Sequence, residues 1–454
     1  MQIPGHKIRY GRQEVSTFAD DILAPFLRDD IPLQGGADDN VFSGHFLDEA
    51  EALWAQAVGA DHSRFLVGGS SQGNIAALTS IVAPGVTIAI DRTSHRSAHA
   101  GLVTSGAMPR WIFPRIHPEF GIPIGIHETD VDMAGATALF VTSPAYVGTI
   151  TSIDSLADMC HEQDAILIVD QAWGAHLDFM PQGGALARGA DVVTTSVHKA
   201  LTGYSQTAVT STKGPRVLPS TLARGVDLTA TTSPSATLMA SIDATRVALL
   251  RDGGCTLEKM CEVTHEARQA LSKVAGVVAL DETNTGCPMD PLKLTLWVPE
   301  TGTTGARISA ALWEMGIGVE AADADTVIMT ITVADDPEGV RSVVDAMKSV
   351  IESQRGAARK PTPAATWQVQ PEVVLSPRGA YFAHRRRLPL HEAIGEVSTE
   401  QFCPYPPGVP LLAPGERVTE EVVEAIEVAG RSTRMAYCSD PTASTIEVVN
   451  DSKI

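Results

Sequence analysis

Residues 194–206, TTSVHKALTGYSQ, are the stretch on which the fold turns. A β-prone run ends here and delivers Lys199 immediately after it, with Ser196, His198 and Gln206 close by in the chain. Loops converge at the carboxyl ends of strands in open α/β sheets, and ligands bind there. A lone lysine is ordinarily a solvated surface residue, so it is the company of Lys199 that marks it as a candidate reactive amine.

About thirty residues upstream, the apolar run AILIVD ends in Asp170 and continues QAWGAH. This places a carboxylate at the tip of a neighbouring strand. A helix cap is the plain alternative for an Asp in that position. Further out, GGSSQGN (68–74) reads as a turn between a strand and a helix, where backbone N–H groups and the Ser70 and Ser71 hydroxyls can hold a phosphate without a basic side chain. It has neither the G-K-[ST] of a Walker loop nor a G-x-G-x-x-G pattern. His95, in DRTSHRSAH, follows another apolar run and can place an imidazole over a flat ring. His95 and His99 lie four apart, but no third ligand accompanies them, so no metal is expected. A reactive lysine, a carboxylate for a pyridinium nitrogen and a phosphate cradle together call for pyridoxal 5′-phosphate (PLP).

Apolar runs at Arg64–Val67, Val86–Ile90, Ala138–Thr142, Ala165–Asp170, Val192–Thr195 and Thr207–Ser211 alternate with helical spacing, as at Phe42–Gly59 and Asn74–Val82. Continuous apolar strands separated by helices indicate a mostly parallel sheet covered on both faces. The expected organisation is an N-terminal arm with active-site loops over 1–40, a large α/β domain over 41–280, and a smaller α+β C-terminal domain over 281–454. A long helix is expected around Ile242–Val274, and a polar linker over 353–365.

With 34 Lys and Arg against 54 Asp and Glu, the chain carries a formal charge of −20, which repels nucleic acid and anionic lipid. Six cysteines without a C-x-x-C pair suggest neither a disulfide framework nor a zinc site. The N-terminus lacks a signal-peptide core and no apolar stretch reaches membrane-spanning length, so a cytoplasmic protein is expected.

These motifs together resemble the Orn/Lys/Arg decarboxylase family of fold-type I PLP enzymes, whose large domain is of the aspartate-aminotransferase kind, and especially its shorter bacterial arginine and lysine decarboxylases. The resemblance rests on PGHK (4–7), Asp38-Asp39, GSSQGN (69–74), SHRS (94–97), TSPAYVG (142–148), DQAWGAH (170–176), SVHK (196–199), TSPS (232–235) and PYPPGVPLLAPGE (404–416). It implies that Lys199 carries the cofactor, Asp170 partners the pyridine nitrogen and His95 stacks on the ring. Ser70, Ser71, Ser196 and His198 would hold the phosphate, and Ala172 would lie under the opposite face. It also implies active sites shared across a homodimer or higher homo-oligomer, with Thr232–Ser235 reaching the neighbouring subunit's cofactor.

The expected reaction is decarboxylation of a basic amino acid (arginine, lysine or ornithine), as in polyamine biosynthesis. Asp38, Asp39, Trp173, Glu320 and Glu416 are the substrate candidates. Trp173 stands where the family usually has His, as in its longer biodegradative members. Aminotransferase, elimination or oxidase chemistry is the alternative, with Arg378 or Arg385–Arg387 as a carboxylate clamp. An inactive regulatory subunit is disfavoured by the joint presence of Lys199 and Asp170.

Overall fold

The apolar runs form a seven-stranded sheet in the computed structural model, which describes residues 30, 46–362, 369–405, 408–432 and 435–450. In chain order the first elements are α1 (Phe46–Val58), β1 (His62–Leu66), α2 (Gly69–Ile81), β2 (Thr87–Asp91), α3 (Arg96–Ser105) and β3 (Met108–Ile112). Then follow β4 (Ala136–Thr142), α4 (Ile153–Glu162), β5 (Ile166–Asp170), β6 (Val192–Ser196) and β7 (Ala208–Thr212). The spatial order is β1-β7-β6-β5-β4-β2-β3; β7 is antiparallel to both β1 and β6, and the other pairs are parallel.

Alternate residues of each central strand feed different cores. Ile88, Ile90, Phe140 and Ile168 pack beneath α2 and α3 with Leu78 and Leu102. Ala89, Leu139, Val141, Leu167 and Val169 face the opposite layer with Leu156 of α4. Both faces are therefore buried, which is why these strands read as unbroken apolar runs.

Helix α2 begins at Gly69, so the segment expected as a turn forms the helix's first turn. Gly73 permits its close approach to the sheet: a Cβ there would come within 2.6 Å of Thr194 Cγ2. β3, MPRWI, was not anticipated; it is an edge strand, the place where a proline costs no ladder hydrogen bond.

After α5 (Pro219–Thr229), the helix expected at 242–274 starts earlier, as α6 (Ala236–Ala248). A π-helical turn at Leu249–Gly253 separates it from α7 (Gly254–Leu271). An antiparallel sheet of order β10-β11-β9-β8 comprises β8 (Val278–Ala279), β9 (Lys293–Trp297), β10 (Ala321–Ala322) and β11 (Thr326–Thr330), backed by α8 (Gly305–Glu314) and α9 (Pro337–Ser353). Leu294, Ile308 and Met347 of this layer share one hydrophobic cluster with Val169 and Val193 of the large sheet.

The remainder holds α10 (Pro377–Phe382), β12 (Arg385–Pro389), β13 (Cys403–Tyr405), α11 (Glu420–Ser432), β14 (Met435–Tyr437) and β15 (Thr445–Val449). Phe402, Leu412, Val422, Ile426 and Val448 give it a separate core. Residues 281–454 thus hold two packing units. The linker between them is anchored where it is described: Arg359 pairs with Asp325 at 2.5 Å and also donates to the Ala324 carbonyl.

Candidate active site

Four strand ends meet at one edge of the large sheet. Thr142 lies opposite Asp170, Asp170 opposite Thr194, and Ser196 opposite Ala208. Leu66, at the end of β1, also faces Ala208, and the Gly69 N–H donates to the Gln206 carbonyl at 2.8 Å, which brings the start of α2 to this edge. The cavity there, about 500 Å³, is lined by Gly68, Ser70, Ser71, His95, Asp170, Ala172, Trp173, His198, Lys199 and Gln206, all within or beside the motifs read from the sequence. Thr93, Thr142, Ala145, Tyr146, Glu320 and Val409 complete much of its wall.

Lys199 sits in a one-turn helix, Val197–Ala200, directly after β6. Burial lowers its pKa, and the charges of Asp170 and Glu320 oppose the fall. Its Nζ lies 3.8 Å from the centre of the Trp173 ring. Asp170 is 2 % exposed; burial raises its pKa, while Lys199, the Ala172 N–H and the Asn74 amide pull it down. Asn74 Nδ2 donates to Asp170 Oδ2 at 2.7 Å and also reaches Ser97 Oγ. Sequence reading missed this orienting role, although Asn74 closes the GSSQGN motif.

His95 caps the N-terminus of α3, its Nδ1 2.9 Å from Ser97 Oγ. Burial, with Lys199 and Arg96 nearby, holds it down to about 4, so its imidazole is neutral near pH 7. His198 Nδ1 donates to the Thr207 carbonyl at 2.8 Å, leaving Nε2 free of that bond.

Other candidates stand elsewhere. Ser196 is fully buried behind the cavity wall. Asp38 and Asp39 lie outside the described residues. Glu416 is a correction: it is 1 % exposed and bound by Arg92 at 2.5 and 2.9 Å, so it has no free carboxylate for a substrate. Arg378 reaches the last carbonyls of α3, at Val103 and Thr104, and Arg385–Arg387 form an exposed strand paired with Glu447 and Glu396. None of these arginines lines the cavity, which removes the proposed transaminase clamp.

The pattern for "Orn/Lys/Arg decarboxylase, major domain" matches residues 1–287, and that for the C-terminal domain of the same enzymes matches 361–434. The chain belongs to the Orn/Lys/Arg decarboxylase family. Within it, an arginine decarboxylase of Halalkalibacterium halodurans is 29% identical over 99% of this chain and 94% of its own length. An arginine decarboxylase of Bacillus subtilis is 31% identical over 83% of this chain and 80% of its own. The fold matches the Escherichia coli constitutive lysine decarboxylase with a TM-score of 0.80 at 19% identity, over 99% of this chain and 79% of that one. It also matches a Sphingomonas wittichii serine palmitoyltransferase at 0.55 and 13% identity, over 70% and 80%. This is the fold-type I architecture of PLP enzymes, with a mostly parallel large sheet followed by smaller C-terminal structure.

The donor set fits PLP. A buried carboxylate at a strand tip has its oxygens turned toward neutral N–H donors, and a cation would relieve its desolvation. Helix α2 opens toward the cavity with no side-chain cap at Gly68. An uncapped helix N-terminus flanked by two serines suits a phosphate.

Proposed function

We propose that this chain removes the α-carboxyl group of a basic amino acid as CO₂, with PLP held on Lys199. The observation that carries the reading is the convergence of Lys199, Asp170 and the open end of α2 on one cavity. Bound PLP supplies an electron sink for the pair released as the Cα–carboxylate bond breaks. Asp170 holds a proton at the pyridine nitrogen, and Asn74 orients that carboxylate. Ser70, Ser71, His198 and the first N–H groups of α2 would hold the phosphate. Neutral His95 would cover one ring face without adding a competing charge, and Ala172 would lie under the other. Lys199 Nζ returns a proton to Cα.

Basic substrates are supported by Glu320, an acid besides Asp170 on the cavity wall, which stands ready for a distal cation. Residues 41–280 form the cofactor domain, and 281–454 supply Glu320 and Val409 to its cavity. A homodimer or larger homo-oligomer is the proposed working form, and Thr232–Ser235, on the surface before α6, is the segment proposed to reach a second cofactor. Among the described residues no helix is long and apolar enough to cross a membrane.

The test is mass-spectrometric product analysis of the purified chain with PLP and each of arginine, lysine and ornithine. We expect one of them to yield its amine and CO₂, and Lys199→Ala to yield neither. A keto acid in place of the amine would sink the decarboxylase reading.

A further inference from the structure

Lys293 opens β9, yet none of its surface reaches solvent. Full burial of a lysine is rare because its ammonium gives up hydration. The stem of Lys293 runs past Gly148, whose φ is +98° and where a Cβ would come within 2.8 Å of Lys293 Cγ. The chain is pinned beside this crossing, the Asp290 N–H donating to the Gly148 carbonyl at 2.7 Å. Lys293 Nζ then donates to Thr330 Oγ1 on β11 at 2.8 Å and lies 3.9 Å from the centre of the Trp173 ring. Lys199 Nζ lies 3.8 Å from the centre of that same ring. Two lysines, one from each sheet, therefore converge on a single indole in the cavity wall.

We propose that Lys293 is a positioning residue of the active site: its ammonium fixes the Trp173 indole and, through its charge, makes the Lys199 amine shed its proton more readily. The inference rests on Lys199 being the reactive lysine. The charged groups facing Lys293 are Asp290 on its approach loop, Glu320 ahead of β10, and Lys199 of the large domain. The Arg268 guanidinium reaches the Lys293 carbonyl oxygen rather than its ammonium. Burial brings Lys293 down to about 8, with Asp290 and Glu320 opposing and Lys199 adding to the fall. It is therefore charged at neutral pH, and repulsion between two ammoniums is mutual. Lys199 also faces Asp170 and Glu320, which favour its proton, and the neutral imidazoles of His95 and His198. Lys293 counters the two carboxylates, and the unprotonated amine is the form that attacks a carbonyl carbon.

The experiment is competitive labelling of the full-length chain, free of PLP, with acetic anhydride across pH, read at the Lys199 peptide by mass spectrometry. Lys293→Met, which keeps the stem and removes the charge, is expected to raise the Lys199 midpoint by about one pH unit, the size of a partly screened interaction between neighbouring charges. Lys293→Arg restores the charge and should bring the midpoint back toward wild type. Thr330→Val, which removes only the acceptor, should raise it by less, and it carries the test if Lys293→Met fails to fold. An unmoved midpoint in a natively folded Lys293→Met chain, or in Thr330→Val where that chain does not fold, overturns the proposal. So does an Arg variant that shifts as far as Met. Substrate and product do not enter the measurement, so failure of the decarboxylase reading would be seen separately.

Discussion

Burial alone would drive Asp170 toward its neutral form, and Lys199, the Ala172 N–H and the Asn74 amide hold it back. The carboxylate is thus kept ready for a cation at the cost of its own desolvation. Asp170→Asn preserves the shape and removes the charge, so it separates packing from electrostatics. Taking one partner from a buried ion pair costs about 3–5 kcal/mol, and an effect of that order lowers the rate of amine formation by roughly 10²–10⁴-fold. Initial rates at saturating PLP check this; a loss below tenfold would mean that the ring nitrogen does not rely on Asp170. That Lys199, Asp170, His95 and Ser70 converge on one cavity was legible because each stands at a strand end or helix start. Asn74 was not, because its aim at Asp170 across 96 positions of chain depends on how α2 settles on the sheet. Glu416 misled for the same reason: nothing local in PGE reveals that Arg92 has already claimed it.

At the scale of elements, α1 is tied to β1 by a buried acid. Glu51 accepts the Phe65 N–H at 2.8 Å and lies 3.4 Å from the Arg64 guanidinium, yet burial still lifts it to about 7. Its folded pKa lies above the ordinary 4.5, so the folded chain binds the proton more tightly than the unfolded one. That contribution is fully present below pH 4.5 and is lost as pH rises through about 7. Glu51→Gln should therefore stabilise the chain at pH 8, by up to about 3 kcal/mol at 1.4 kcal/mol per pKa unit, and leave it nearly unchanged at pH 4. Urea unfolding at the two pH values measures the difference, and a uniform destabilisation would show instead that the Arg64 contact dominates. The strands of the central sheet were readable because burial on both faces forces continuous apolar runs. β3 escaped because an edge strand tolerates Pro109 and Arg110. The junction of α6 and α7 escaped because the backbone stays helical on both sides of the π turn at Leu249–Gly253.

Across the whole molecule, Arg92 is a buried link between the final unit and the large domain. It lies just past β2, donates to both oxygens of Glu416 and to the Leu411 carbonyl, and stacks its guanidinium 4.6 Å from the centre of the Trp111 ring. Association with a second chain is a separate expectation: Leu218, Leu228, Val247 and Leu250 all face outward around α5 and α6. Sedimentation should give a mass at least twice the 48.0 kDa of one chain, and a monomer under assay conditions would end the shared-site proposal. The Arg92–Glu416 pair makes a sharper prediction, because its cost depends on which partners remain. Arg92→Met strands a buried carboxylate and should destabilise by about 3–5 kcal/mol, whereas Arg92→Met with Glu416→Leu removes both charges and should recover most of that loss. Denaturant unfolding of the single and double variants gives the coupling directly. Limited proteolysis locates it: the single variant should be cut first between the α9 end and α10, freeing the C-terminal unit while the seven-stranded sheet persists. Equal losses in the two variants would assign the stabilisation to Arg92 stacking on Trp111, with the ion pair contributing little.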